Sequence, residues 1–241
     1  MHIIKSLTKT KRTTNDQYII SKEQPLSFVT ESFQNVILNI ETANVDQTIK
    51  TIQITSTLPD EGKSTLIANL GYLLAKQNKK ILMIDLDLRR PKLHRIFNVS
   101  KKLGFIDYTL RKYELKDMIR PTFQNNLDVL VSGSKTELIS NILISNKLKE
   151  MINLLKETYD YILLDSPPVL SASDALYISK LSDAIIYVIA EDKAKKASIK
   201  EAVELLIQQK ANILGSVLTQ KESHFNHYST KYYKNYYTSE E

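Results

Sequence analysis

Six short runs rich in Ile, Leu and Val punctuate the chain: TIQITS (51–56), KILMIDLD (80–87), LDVLVS (127–132), YDYILLD (159–165), AIIYVIA (184–190) and NILGSVLT (212–219). Such short, apolar-rich runs suit strands buried on both faces of a parallel sheet. Parallel neighbours need long crossovers, and the intervals supply them. Segments near 65–77, 146–157, 174–180 and 196–209 carry apolar residues at helical spacing, as Ile199, Val203, Leu206 and Ile207 do in the last. Strand and helix in alternation predict a doubly wound, mostly parallel α/β sheet with helices on both faces. At 241 residues the chain suits one large domain of this kind. A further helix is predicted before the first strand. There PLSFVTESFQNVILNIETA spaces Val29, Phe33, Val36, Ile37 and Ile40 helically, and Pro25 suits its first turn.

Both ends of the chain lack this periodicity. Residues 1–24 read as a basic arm, with Lys5, Lys9, Lys11 and Arg12 preceding the first acid, Asp16. After Thr219 the apolar content collapses, so 25–220 is the expected domain and 221–241 a loose tail. The net charge of +6 suits an anionic surface, but no nucleic-acid-binding module is recognisable, and nucleic acid is not an expected partner. Cysteine is absent, which excludes disulfides and thiolate metal sites and fits a reducing cytoplasm. No apolar run approaches the roughly 18 residues of a membrane span, and the N-terminus lacks the apolar core of a signal peptide. The expectation is a cytoplasmic protein.

The segment ITSTLPDEGKSTLIANL (54–70) passes from a buried strand through a tight loop into an apolar-periodic helix. That order builds a phosphate cradle: N–H groups of the loop and helix N-terminus point at the anion, and the helix dipole adds to them. In such a loop the lysine neutralises β/γ-phosphates and the following hydroxyl holds Mg²⁺, here Lys63 and Ser64. Pro59, Asp60, Glu61, Gly62, Lys63, Ser64 and Thr65 form the candidate nucleotide-binding set, joined by Arg89 from the basic cluster LRRPKLHR. Thr57 stands where the consensus has its first glycine. Asp60 occupies a position where left-handed backbone would favour glycine, a conformation aspartate tolerates better than most residues. The loop alone predicts nucleotide binding and leaves the reaction open.

Asp85 and Asp87 close one strand-like run, and Asp165 closes another. Carboxyl ends of strands form the ligand crevice of open α/β sheets, so the three acids are expected to converge on the phosphates. Positions 85 and 87 share one face of a strand, which suits two acids turned toward one metal-bound nucleotide. Capping of a following helix is the alternative role for such an aspartate, although Asp165 leads into Ser-Pro-Pro. The catalytic candidates are therefore Lys63, Asp85, Asp87 and Asp165, and the metal candidates are Ser64, Asp87 and Asp165.

Taken in order, LPDEGKST, ILMIDLDLRRP and YILLDSPPVLSASDA resemble the Walker A, A′ and B motifs of bacterial tyrosine kinases. ANILGSVL and the terminal tyrosines extend the resemblance over about residues 25–241. The chain is similar to the cytoplasmic kinase subunit of capsular or exopolysaccharide synthesis in Gram-positive bacteria, on the MinD/ParA-like branch of the P-loop fold. The resemblance implies an ATP- and Mg²⁺-dependent protein-tyrosine kinase that phosphorylates its own C-terminal tyrosines in a neighbouring subunit. The acceptors would be Tyr228, Tyr232, Tyr233, Tyr236 and Tyr237. Lys63 and Ser64 then bind phosphate and Mg²⁺, Asp165 supports the metal through water, and one of Asp85 and Asp87, with Asp85 preferred, accepts the tyrosine proton. A separate membrane protein, an activator or chain-length determinant, is the implied partner that recruits the kinase to the inner face of the plasma membrane.

The chain also departs from the family. Members carry ExxRxxR on the helix before the loop, where it docks subunits into a ring. Here ESFQNVI retains Glu31 but has Gln34 and Ile37 at the arginine positions, so bidentate ionic contacts are lost and ring assembly through them is not expected. SGSKTELISNILIS replaces the proline-rich stretch after the fourth strand, and Thr219 stands where an asparagine often reads adenine. Two other readings stay open at this point. A MinD/ParA-type ATPase is disfavoured because Ser56, Thr57 and Leu58 lack that branch's early lysine, whereas a nucleotide-binding scaffold without kinase activity would fit the missing arginines.

Overall fold

The computed structural model describes residues 18–45, 48–110 and 113–220; the clustered cations at 5–12 and the five tail tyrosines lie outside them. Seven strands form one sheet: β1 (Thr51–Ser56), β2 (Ile81–Asp85), β3 (Ile119–Pro121), β4 (Leu127–Leu130), β5 (Tyr161–Asp165), β6 (Ala184–Ala190) and β7 (Ile213–Thr219). Their order is β3-β4-β2-β5-β1-β6-β7, and every pairing is parallel except β3 with β4. The described helices are α1 (Ile20–Glu23), α2 (Phe28–Ala43), α3 (Lys63–Lys76), α4 (Leu93–Ile96), α5 (Phe105–Leu110), α6 (Ile139–Ile144), α7 (Asn146–Lys156), α8 (Asp174–Ser179) and α9 (Lys196–Gln208).

Strand periodicity divides the apolar runs between two cores. Ile81 and Met83 of β2, with Tyr161 and Leu163 of β5, pack on the α2–α3 side. Leu82 and Ile84, with Ile162 and Leu164, face α5, α6 and α7. Both faces are thus dry, which is why these runs do not alternate. Strand β1 differs: Ile52 and Ile54 join the first core, while buried Gln53 donates from Nε2 to Ser166 Oγ and to the carbonyl of Ala175, each at 2.9 Å. At the opposite end of the sheet Asp183 gathers β1. Its Oδ2 accepts from Lys50 N, Thr51 N and Thr51 Oγ1 at 3.0, 2.8 and 2.7 Å, and its Oδ1 pairs with Lys156 Nζ at 2.7 Å.

Several boundaries differ from expectation. Helix α2 starts at Phe28, not near Pro25, because Ser27 Oγ accepts from Thr30 N at 3.2 Å and caps it. The arm does not run to residue 24. Ile19 and Ile20 are buried, and Asn69 of α3 holds this segment by accepting from Ser21 N and donating to the Tyr18 carbonyl, both at 2.9 Å. Ile37 is only 1% exposed in the core beneath α2, whereas Gln34 is exposed. Position 37 therefore presents no docking charge because here it is part of the core.

Candidate active site

The phosphate loop leaves β1 and is shaped by its own side chains. Asp60 (φ 58°) and Gly62 (φ 94°) take left-handed backbone, whereas Thr57 does not need it and instead shares a hydrogen bond with Tyr187 Oη at 2.8 Å. The missing first glycine therefore imposes no left-handed strain. Glu61 is fully buried, and its carboxylate accepts from Leu58 N at 2.7 Å and Ala190 N at 3.4 Å. That side chain turns away from any ligand, so Glu61 serves the cradle through backbone only. The loop's carbonyls are held from the far edge of the sheet. Thr219 Oγ1 donates to Glu61 O at 2.6 Å, while Gln220 Nε2 and Lys193 Nζ donate to Asp60 O at 2.9 and 2.7 Å. Thr219 is thus committed to the loop and not free to read a base.

Lys63 opens α3 and is 6% exposed, with Nζ donating to Ser56 Oγ at 3.1 Å. Burial pulls its pKa below the ordinary lysine value, while Asp165 and Asp87 oppose that shift. Ser64 Oγ donates to Asp165 Oδ2 at 2.7 Å. Asp85 and Asp165 are register partners across β2 and β5, both fully buried. Burial pushes Asp165 up to about 6, against the pull of the Ser64 hydroxyl and Lys63. Burial first, and then the Asp165 charge, raises Asp85 well above the usual carboxylate range. Asp85 Oδ1 and Asp165 Oδ1 are buried without a hydrogen-bond partner. Two orphaned carboxylate oxygens beside a serine hydroxyl fit a hard divalent cation, and Mg²⁺ uses one or two carboxylates plus phosphate and water.

Asp85 and Asp87 do not share a strand face. Strand β2 ends at Asp85, and the chain then turns, with Arg90 N donating to Asp87 Oδ1 at 3.0 Å. Asp85 turns inward, where its Oδ2 accepts from Lys92 N and Leu93 N, both at 3.0 Å, and so anchors the start of α4. Asp87 instead lines a cavity of about 270 Å³ together with Lys63, Ser64, Thr65, Pro59, Asp60 and Gly62. Pro167 and Pro168 complete a wall, pinned to β1 by Thr55 Oγ1 to Pro167 O at 2.8 Å and Val169 N to Ser56 O at 2.8 Å. Arg89 also lines the cavity, but its Nε is engaged by Asp174 Oδ2 at 2.8 Å. Asp174, 2% exposed, is a positioning residue that sequence reasoning missed. It sits in the same SASDA stretch as the third motif, which is the signal that would have found it. Tyr18 at the cavity is likewise an addition, while Arg90, Lys92 and Arg95 of the basic cluster LRRPKLHR also line it.

A family model described as an AAA domain matches residues 49–215. Tyrosine-protein kinase YwqD of Bacillus subtilis is 33% identical over 230 residues, covering 94% of this chain and 97% of that protein. The crystal structure of the chimerical protein CapA2B2 superposes with a TM-score of 0.82 at 33% identity, covering 86% of this chain and 91% of that one. The septum site-determining protein MinD of Pyrococcus horikoshii, complexed with Mg-ADP, gives a TM-score of 0.62 at 25% identity, covering 76% of this chain and 76% of that one.

Proposed function

The chain belongs to the bacterial tyrosine-kinase family, and from that premise we propose that it transfers the γ-phosphoryl group of ATP to tyrosines of its own C-terminal cluster, presented by a neighbouring subunit. It is a protein-tyrosine kinase on a P-loop fold. The observation that carries the nucleotide chemistry is the pair of orphaned oxygens on Asp85 and Asp165 beneath the loop that bears Lys63 and Ser64. The MinD relative was crystallised with Mg-ADP, and here Ser64 and Asp165 offer oxygens suited to a divalent cation. When bound, Mg-ATP supplies the electrophilic phosphoryl group and the divalent charge that offsets its negative oxygens.

The remaining work falls to the chain. Loop N–H groups and the start of α3 cradle the phosphates, and Lys63 adds a buried cation with little reorganisation. Ser64 and Asp165 would hold the metal. Asp87 accepts the proton of the attacking hydroxyl, whose ordinary pKa near 10 makes a nearby base useful. Asp87, not Asp85, suits this step, because it faces the cavity while Asp85 is walled in by Lys92 and Leu93. Phosphorylation then adds about −1.5 to −2 charges per tyrosine and repels the spent tail from the acidic site. In the cell the kinase works in capsular or exopolysaccharide synthesis under a membrane-spanning activator. No helix among the described residues is long and apolar enough to cross a membrane, which suits that division of labour.

The test combines the full chain with ATP, Mg²⁺ and the activator's cytoplasmic tail, read by phosphotyrosine blot. Lys63→Met, Asp87→Asn and deletion of residues 228–241 should each abolish the signal. ATP hydrolysis without phosphotyrosine under any activator refutes the reading. With Gln34 and Ile37 at the ring positions, the unphosphorylated chain should be monomeric by light scattering; a stable octamer would refute that part.

A further inference from the structure

The cavity wall that carries Asp87 also carries an imbalance of charge. Besides Lys63, four cations border the cavity: Arg89, Arg90, Lys92 and Arg95. Two of them are neutralised, Arg89 by Asp174 at 2.8 Å and Lys92 by Asp60 at 2.5 Å. The side chains of Arg90 and Arg95 are exposed and make no hydrogen bond or ion pair among the described residues. Both are nonetheless mounted on fixed backbone. Arg90 N is bonded to Asp87 Oδ1, and Arg95 rides on α4, whose first N–H groups are gripped by Asp85. Two free guanidinium groups thus border the same opening as the residue that takes the acceptor's proton.

The acceptor sequence supplies a complementary charge. Downstream of Tyr236 and Tyr237 the chain reads Thr-Ser-Glu-Glu, whereas Lys231 and Lys234 lie upstream of that tyrosine pair. An extended peptide advances about 3.3 Å per residue, so in an extended acceptor Glu240 would lie about 10 Å beyond Tyr237, on one side of it only. A planar, permanently charged fork suits carboxylate recognition.

We propose that Arg90 and Arg95 form a subsite that reads acidic side chains on the C-terminal side of the acceptor tyrosine, namely Glu240 and Glu241 of a second copy of this chain. The subsite ranks the tyrosines: Tyr236 and Tyr237 are modified ahead of Tyr228, which has no acid close behind it. It rests on the kinase reading above, and it deepens that reading by naming what selects the substrate.

The test uses the full chain with Mg-ATP, the activator's tail and three synthetic acceptors, YYKNYYTSEE, YYKNYYTSQQ and YYKNYYTSKK. Two partly screened ion pairs predict a KM about tenfold higher for the QQ peptide and higher still for KK, with kcat unchanged. The double variant Arg90→Glu/Arg95→Glu should invert the order and favour KK, while its KM for ATP stays at the wild-type value. Equal KM for all three peptides refutes the subsite while leaving tyrosine-kinase activity standing. A raised KM for ATP in the double variant assigns the arginines to nucleotide and also overturns the proposal. If no peptide is phosphorylated, the kinase reading fails, and fluorescence anisotropy with FFKNFFTSEE and FFKNFFTSKK still decides: tighter binding of EE, lost in the double variant, supports the subsite. Anionic phosphatidylserine vesicles bound through Arg90 and Arg95, with no discrimination among peptides, would mark a membrane contact and refute it.

Discussion

Replacing Asp165 with asparagine should stabilise this protein while destroying its activity. Asp165 is fully buried, with its pKa raised from an ordinary 3.8 to about 6. A carboxyl group whose folded pKa is raised binds protons more tightly in the folded state, so folding stability declines as pH climbs from about 4 to about 6 and remains lower above it. The shift of about two units corresponds to about 3 kcal/mol held against the ionised form at neutral pH. Asparagine has the shape of the protonated acid and can accept the Ser64 Oγ hydrogen bond, but it has no charge to bury. Urea unfolding of Asp165→Asn at pH 7.5 should therefore show up to about 3 kcal/mol of added stability, and the gain should shrink toward zero near pH 4. Mg-ATP should stabilise the wild type through binding and leave the variant unchanged. A variant less stable than wild type at pH 7.5, or a gain independent of pH, would refute the argument that the site stores this energy as an uncompensated carboxylate.

Two further perturbations probe the frame around the site. Asp183→Ala removes the acceptor for three hydrogen bonds at the head of β1 and breaks the Lys156 pair, and should lower stability by about 2–3 kcal/mol. Burial pushes the Asp183 pKa up, but the Lys156 and Thr51 hydrogen bonds outweigh it and hold the net value low. Its contribution is then present above about pH 4 and lost below it, so wild type and variant should converge in acid urea titrations. Gly62→Ala forces a Cβ onto backbone at φ 94° and within 3.4 Å of Thr219, and should cost about 1 kcal/mol in thermal melts while weakening nucleotide binding.

The sheet was legible because its physics is periodic. TIQITS and AIIYVIA match β1 and β6 residue for residue, since both strands are buried along almost their whole length. The site was legible only as far as it is local. Gly62, Lys63 and Ser64 follow one another along the loop, and Asp165 ends a strand. Asp87 was misjudged because a side-chain bond to Arg90 N, not strand propensity, decides where β2 stops. Asp85 combines both readings entertained for it, since it anchors α4 yet keeps a bare oxygen beside Asp165. Helix α1 is four residues with no side-chain cap at its N-terminus, held by Asn69 from 48 positions away. Arg89 with Asp174 and Thr219 with Glu61 span 85 and 158 positions, and no window of sequence exposes such partners.

The bonds from Thr219 and Gln220 to the loop carbonyls have a thermodynamic consequence. The last described residues grip Glu61 and Asp60, so the tail is rooted in the loop that holds the phosphates. Linkage is reciprocal: a ligand that tightens this grip by some factor is itself bound tighter by that factor when the grip is strengthened from the other side. On the function proposed above, a tail drawn into a neighbour's cleft would act on the nucleotide loop of its own subunit, and acceptance in one subunit and donation in the next would share one free energy.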